Sequence, residues 1–368
     1  MGRERGSNIE LLKIIAILLI VVSHFTPKYG DPALPSYIDL KQATVSVQGL
    51  LLVLFDYFGQ IGNCLFVVCS AFFLVDQDQV KGKKILDVVL DCLFISVLSF
   101  LLHRCLGVSV GLEDTVRSFL PVSSGNCWFI CCYLLLYAIH PGLNLIINKI
   151  SQKQHLTIVC VMAALYSAEA FLPLVYYYYN DLVGFVEIYF AVAYLKRYVP
   201  SWRTKNWDRG VFLACAASLL GLIVATGAIG VRISAFSNQM IRWKLFVNPL
   251  TIMMSLAAFG MALKKPFICR PVNYVSGESL LIYIITEDYL FREMEKPRLW
   301  LSIYRAFSYR YVVLWVLLLS AAAFVAAVLI ASCYRETVQK PLRRLSSRLS
   351  ERLGALWGSL LDTLTAWK

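Results

Sequence analysis

The chain has 368 residues, 59% of them hydrophobic and only 16% charged, with a mean hydropathy of +0.66. A soluble chain of this length carries about a quarter charged residues, so a soluble enzyme, a disordered chain and a collagen-like chain are excluded and the surplus apolar residues must face lipid. Lys and Arg number 35 against 23 Asp and Glu, a net charge of +12; in so apolar a chain this excess points to cytoplasmic loops and the membrane surface, not to nucleic acid.

Apolar runs of about 20 residues, the length that crosses a bilayer, recur from end to end. They fall near 8–26, 57–75, 85–106, 126–148, 156–174, 180–198, 211–230, 246–263, 272–291 and 311–333. The seventh, eighth and tenth contain no charge, whereas the ninth holds Glu278, Glu287 and Asp288 and is the weakest on hydropathy. The first ends in His24-Phe25-Thr26-Pro27 without a small-x-small site, so it does not read as a cleavable signal peptide. The expected fold is therefore all-α: a polytopic membrane bundle of about ten transmembrane helices over 1–334, followed by a tail over 335–368.

The loops set the expected orientation. Lys81, Lys83 and Lys84 follow the second run, Lys149 and Lys153 the fourth, Lys196, Arg197, Arg203, Lys205 and Arg209 the sixth, and Lys264, Lys265 and Arg270 the eighth. By the positive-inside rule both termini are cytoplasmic. Two outward loops break the pattern: 231–245 carries Arg232, Arg242 and Lys244, and 292–310 carries Arg292, Lys296, Arg298, Arg305 and Arg310. Either these serve an anionic ligand or one span is miscounted. The run Tyr176–Tyr179 reads as an interfacial aromatic belt, with stacking on a sugar ring as the alternative. In the tail, leucines from Leu342 to Leu364 recur at three- and four-residue steps with Arg343, Arg344, Arg348 and Arg352 between them, the pattern of an amphipathic helix on the inner leaflet.

Eleven cysteines lie mostly inside apolar runs, and the cluster Cys127, Cys131, Cys132 contains no CxxC pair. We read them as small packing residues and expect no metal or redox centre. P-loop, GxSxG and HExxH motifs are absent from the sequence.

An ionisable group within a span costs about 2.5–3.5 kcal/mol on insertion scales and marks a functional candidate. In the first run Lys13 and His24 are eleven residues apart, about 20° past three full turns, so they share one face with about 16 Å between them along the axis. Glu10 lies one turn before Lys13 on much the same face. Two readings stand side by side. In one, Lys13 binds a phosphate arriving from the cytoplasm and His24 acts as general base, since histidine ionises near neutral pH. In the other, Lys13 snorkels to the headgroups and His24 hydrogen-bonds within the bundle. Asn63 and Ser70, Trp128, Tyr133 and Tyr137, Glu187, Asn248, and the group Glu287, Asp288 and Arg292 are further candidates to line the same cavity, or else interhelical glue. His103, His140 and His155 read as interfacial residues near span ends.

In this order the segments resemble the acyltransferase-3 family of polytopic bacterial O-acyltransferases. Ser7-Asn8-Ile9-Glu10-Leu11-Leu12-Lys13 through His24 is similar to the family's Arg-x10-His opening, with Lys13 in place of arginine. Gly59-Gln60-Ile61-Gly62-Asn63-Cys64-Leu65-Phe66 through Ser70-Ala71-Phe72 resembles its segment ending Ser-Gly-Phe. Asn126-Cys127-Trp128-Phe129 through Tyr137, Pro141 and Asn144 resembles its Trp-containing span, and Val247-Asn248-Pro249-Leu250 also fits. Ser279 through Asp288 resembles its Tyr-Leu-x-His segment, with Thr286 where the histidine stands.

The resemblance implies a multi-pass protein of the bacterial cytoplasmic membrane. It would move an acyl group, usually acetyl, from cytoplasmic acyl-CoA, a co-substrate and not a resident cofactor, to a hydroxyl of a cell-envelope or exported carbohydrate. His24 and Glu287 would be catalytic. Lys13, Glu10, Ser70 and Asn63 would serve the acyl-CoA and the oxyanion, and Trp128, Tyr133, Asn248 and Arg292 the acceptor. Lysine for arginine loses the bidentate fork for phosphate. Thr286 removes a titratable group, so that histidine is either dispensable here or its loss impairs the enzyme. A transporter or flippase of an anionic or sugar-linked lipid, without acyl chemistry, is the alternative from another class, and a degenerate acyltransferase retained for binding is a third.

Overall fold

A computed structural model describes residues 6–27, 46–168, 180–230, 232–233, 245–307 and 310–351. Among them the chain is helical with no strand. Six helices are long and apolar enough to cross a membrane: Ser7–Phe25, Val47–Leu74, Gly82–Cys105, Trp128–Lys149, Trp207–Gly230 and Val312–Glu351. The run Tyr176–Tyr179, Arg242, Lys244 and the tail beyond 351 lie outside the described residues.

Helix α1 (Ser7–Phe25) is built of Leu, Ile, Val and Ala, with its start stitched to a distant segment. The Ser7 backbone N–H donates to the Phe267 carbonyl (2.9 Å), and the Ser7 hydroxyl donates to Asn273 Oδ1 (2.8 Å) while accepting from the Cys269 N–H (2.7 Å). These bonds occupy polar groups that a helix start otherwise leaves unmet. At the other end Thr26 Oγ1 donates to the Val22 carbonyl (2.8 Å) and Pro27 follows, which stops the helix.

Helix α2 (Val47–Leu74) starts on a Ser46 cap, whose hydroxyl accepts from the Gly49 N–H (3.0 Å). It runs antiparallel along α1, with Gly59 beside Ser23 and Gly62 beside Ala16 and Ile20. A Cβ on Gly62 would strike the Ala16 carbonyl oxygen, so the close approach of the two backbones depends on glycine there. At 28 residues α2 is about 42 Å long, ten residues longer at its start than the apolar run alone predicts.

Helix α3 (Gly82–Cys105), the short α4 (Leu112–Phe119) and α5 (Trp128–Lys149) follow. Asn144 on α5 donates to the carbonyls of Leu74 (3.0 Å) and Gln77 (2.8 Å) and accepts from Tyr189 Oη (2.7 Å), so it closes the end of α2. Helix α6 (Gln152–Met162) begins on a Ser151 capping box and runs into a widened turn at 163–167. Then come α7 (Asp181–Tyr198), the single turn α8 (Ser201–Thr204) and α9 (Asp208–Gly230).

Two expected spans differ from the structure. The eighth run forms α10 (Pro249–Leu263), only 15 residues, or about 22 Å against a hydrocarbon thickness of about 30 Å. It starts late because Pro249 opens the helix and the Asn248 side chain caps it, accepting from the Leu250 N–H (2.9 Å). The ninth run is not one helix: α11 (Arg270–Gly277) and α12 (Ser279–Thr286) meet at a buried Glu278. Ser276-Gly277-Glu278-Ser279 supplies the break, and averaging hydropathy across it hides the joint. Beyond α12 come a widened turn at 291–295, α13 (Lys296–Phe307) and α14 (Val312–Tyr334).

The helix of α14 continues through a third widened turn to 351. Part of this extension faces protein: Arg343 pairs with Asp91 (2.5 Å) and Asp87 (3.3 Å) of α3, and Arg335 pairs with Glu278. The three histidines expected at the interface are buried instead. His155 accepts no water-facing role, its Nε2 meeting the Phe190 carbonyl (3.0 Å) inside a ring of Phe190, Tyr194 and Tyr198. His140 stacks on Tyr137, and His103 Nδ1 lies 2.8 Å from the Ser99 carbonyl.

Candidate active site

The geometry centres on α1. At its C-terminal end the partly exposed His24 ring places Nδ1 2.7 Å from Oε1 of the buried Glu287, the residue that ends α12. The contact is short but bent away from a linear hydrogen bond. The second carboxylate oxygen of Glu287 accepts from Arg292 Nη1 (3.4 Å), which rises from the widened turn at 291–295 and also pairs with Glu293 (2.8 Å). Widened turns of this kind occur frequently at functional sites. Lys296 Nζ, itself buried, donates to the backbone carbonyl of His24 (2.8 Å). Tyr283 completes the surround, with its ring centre 6.4 Å from that of His24.

The segment carrying Glu287 and Arg292 is anchored from outside. Ser99 of α3 donates to Asp288 Oδ1 (2.5 Å), Tyr289 Oη donates to Asp114 Oδ1 of α4 (2.9 Å), and Arg117 lies over the Tyr289 ring (5.3 Å). Helix α4, unanticipated from hydropathy, therefore fixes the turn on which two site residues stand.

At the other end of α1, Lys13 Nζ lies 3.2 Å from Glu10 Oε1 and 5.8 Å from the Phe73 ring centre. Glu10 Oε2 accepts from the Ser276 hydroxyl at the end of α11. Because α2 runs antiparallel, its buried Asn63 stands between the levels of Lys13 and His24, and Ser70 two turns further toward Lys13. The Oδ1 atom of Asn63 is buried without a hydrogen-bond partner among the described residues.

The remaining candidates take other places. The Trp128 ring packs on Phe129 and Phe246, while Phe129 lies against Tyr283 (5.4 Å), so two rings separate Trp128 from His24. Tyr133 and Tyr137 face Lys84, whose Nζ lies 5.5 and 4.3 Å from their ring centres. Asn248 serves as the α10 cap. Thr286 donates its hydroxyl to the Ile282 carbonyl of its own helix (2.9 Å). Glu187 accepts from Ser167 (2.5 Å), deep in the bundle. Sequence reasoning passed over Lys296, Tyr283 and Ser276 as site neighbours. On sequence Lys296 stands only among the charges that break the positive-inside pattern, and its burial in the structure is what separates it from them.

A helical membrane protein with an imidazole–carboxylate pair at one end of a span and a lysine at the other has the groups for transferring an acyl unit to a hydroxyl. A family model described as an acyltransferase domain, that of the acyltransferase-3 family, matches residues 7–334; the chain belongs to this family and is an acyltransferase. No curated protein and no solved structure matches it in the corresponding comparisons.

Proposed function

We propose that the chain is a membrane O-acyltransferase that moves an acyl group, acetyl by family expectation, from cytoplasmic acyl-CoA to a hydroxyl of a cell-envelope or exported carbohydrate. It would reside in the bacterial cytoplasmic membrane with both termini inside. The six long helices, together with the helical stretches 152–167, Asp181–Tyr198, Pro249–Leu263 and the broken pair Arg270–Gly277 and Ser279–Thr286, make up the ten crossings of this reading.

The single observation that carries the chemistry is the His24 Nδ1 to Glu287 Oε1 contact of 2.7 Å. A carboxylate at Nδ1 holds the proton there, leaving Nε2 as the acceptor for the proton of the attacking hydroxyl. Catalytic hydrogen bonds are often poorly aligned before substrate binds and tighten in the substrate complex. The hydroxyl oxygen attacks the thioester carbonyl, and the tetrahedral oxyanion is stabilised by a donor such as the Asn63 amide; Ser70, at the Lys13 end of α2, stands with the groups that would meet the donor instead. Collapse expels the CoA thiolate, which takes a proton from the imidazolium. Lys13, with Glu10 and Ser276 around it, meets the phosphates of the donor at the cytoplasmic end.

The test is CoA release by purified protein supplied with acetyl-CoA and a panel of polysaccharide and lipid-linked sugar acceptors. Acceptor-dependent release is expected from the wild type, with a loss of about a hundredfold or more in His24→Ala. Glu287→Gln should lose much of the same factor, and the double variant should be no worse than His24→Ala, because the two act as a unit. Full turnover by His24→Ala overturns the assignment.

A further inference from the structure

On the far side of α1 from Lys13, a cavity of about 290 Å³ opens between α1, the start of α9 and the turn after α10. Its floor includes Leu11 and Ile15, which lie about 160° around the helix from Lys13, so it is separate from the candidate active site. Leu11, Ile15 and Phe267 are all exposed large apolar side chains, which in a membrane means that this wall opens toward acyl chains. The rim is cationic, with Arg209, Lys264 and Lys265. Lys264 is occupied: its Nζ meets the buried Asp208 carboxylate and the Lys205 carbonyl, cancelling the only acidic charge on the lining. Arg209 and Lys265 are exposed and make no ion pair among the described residues, so two positive charges stand uncompensated beside an apolar floor. Asn8 holds the wall, donating from Nδ2 to the Ala262 carbonyl (2.8 Å).

We propose that this cavity is a binding site for an anionic phospholipid, with the phosphate held by Arg209 and Lys265 and the upper part of an acyl chain lying over Leu11 and Ile15. Basic pockets between spans on the cytoplasmic side bind anionic headgroups. A soluble phosphate would use the cations but not the floor; a zwitterionic lipid would use the floor but gain little from the rim. In the cell the site rests on the orientation proposed above, in which the loops after the sixth and eighth runs face the cytoplasm. The measurement below does not, and it reads binding, not CoA release, so it can fail while the acyl-transfer reading stands.

The experiment is native mass spectrometry of the full-length protein in detergent, titrated with phosphatidylglycerol or phosphatidylcholine. The wild type should retain phosphatidylglycerol with a preference of about tenfold or more. The doubly substituted Arg209→Ala, Lys265→Ala protein should bind the two lipids alike, and Ile15→Asn should weaken phosphatidylglycerol retention with the rim intact. Both substituted residues are exposed, so the double variant should keep the wild-type unfolding temperature, and an unchanged temperature with lost preference supports the site. Equal retention of both lipids by the wild type, undiminished preference in the double variant, or displacement of the lipid by inorganic phosphate alone would each overturn the proposal.

Discussion

Lys296 Nζ donates to the backbone carbonyl of His24 across 2.8 Å, so a buried cation from α13 braces the residue whose ring meets Glu287. Backbone and side chain of one histidine are thus held by two groups from the same stretch of chain. Removing one partner of a buried charged hydrogen bond costs about 1.5–3 kcal/mol. Lys296→Met is expected to lower kcat by about tenfold or more while leaving KM for acyl-CoA near its wild-type value. Lys296→Arg should recover part of the loss. A rise in KM at constant kcat would show that Lys296 binds donor and does not position His24.

The opposite end of α1 should behave in the reverse sense. Lys13 is partly exposed beside Glu10, with Ser276 bonded to the same carboxylate. Lys13→Ala should raise KM for acyl-CoA by roughly tenfold, the value of a lost charged hydrogen bond, with a smaller change in kcat. Lys13→Arg should retain or improve binding because the guanidinium offers a bidentate fork to phosphate. Equal falls in kcat and kcat/KM for Lys13→Ala would move Lys13 from ground-state binding into the chemistry.

Gly62 tests the α1–α2 contact independently of activity. A side chain there meets the Ala16 carbonyl and the Ile20 side chain, whereas a Cβ on Gly82 or Gly210 meets nothing within 4 Å. Gly62→Val should destabilise the protein by about 1–3 kcal/mol, the cost of overpacking, read as a lowered unfolding temperature in detergent. Gly82→Ala should leave that temperature unchanged. A Gly62→Val protein as stable as wild type would mean the two helices sit further apart than described.

The extension of α14 is held by Arg343, which reaches the buried Asp91 also contacted by Tyr334 (2.7 Å) and Gln339 (3.3 Å). Arg343→Ala leaves that carboxylate without its cation. We expect faster proteolysis within 335–351 and a stability loss of about 1–3 kcal/mol, the penalty for a buried acceptor losing its partner. Asp91→Asn in the same protein should restore part of the loss, since the amide carries no charge to bury. Unchanged proteolysis in Arg343→Ala would show that Arg335, Ser346 and the apolar face hold the extension without it.

The parts legible from sequence were those written in local periodicity. The Lys13 to His24 spacing needs only 3.6 residues per turn, and α1 forms over nearly the expected run. What periodicity cannot carry is the partner from elsewhere in the chain. Glu287 is a catalytic candidate on sequence through its place in a motif, but its approach to His24 depends on the break at Glu278 and on Ser99 and Asp114 pinning the next turn. Tyr137, a cavity candidate on sequence, and Asn144, which enters only through the family resemblance, instead secure the chain between α2 and α3: Asn144 through the Leu74 and Gln77 carbonyls, Tyr137 by accepting from the Lys81 N–H (3.1 Å). A hydrogen bond to a main-chain carbonyl leaves no mark in composition, so such roles stay hidden until the fold is seen. The long start of α2 was missed for a related reason: a window tuned to bilayer thickness stops counting where Asp56 enters.

Segmentation at Glu278 gives α1 the part of a ruler. The stretch opposite it is jointed: Ser276 on one piece grips Glu10, while Glu287 on the other grips His24. A jointed stretch absorbs small changes in length or angle at the hinge, whereas the unbroken rod of α1 cannot. Inserting one alanine between Lys13 and His24 would turn one end by 100° relative to the other, leaving each grip sound only at the expense of its counterpart. Tolerance to insertion should therefore be lopsided, generous around 277–279 and absent between 14 and 23.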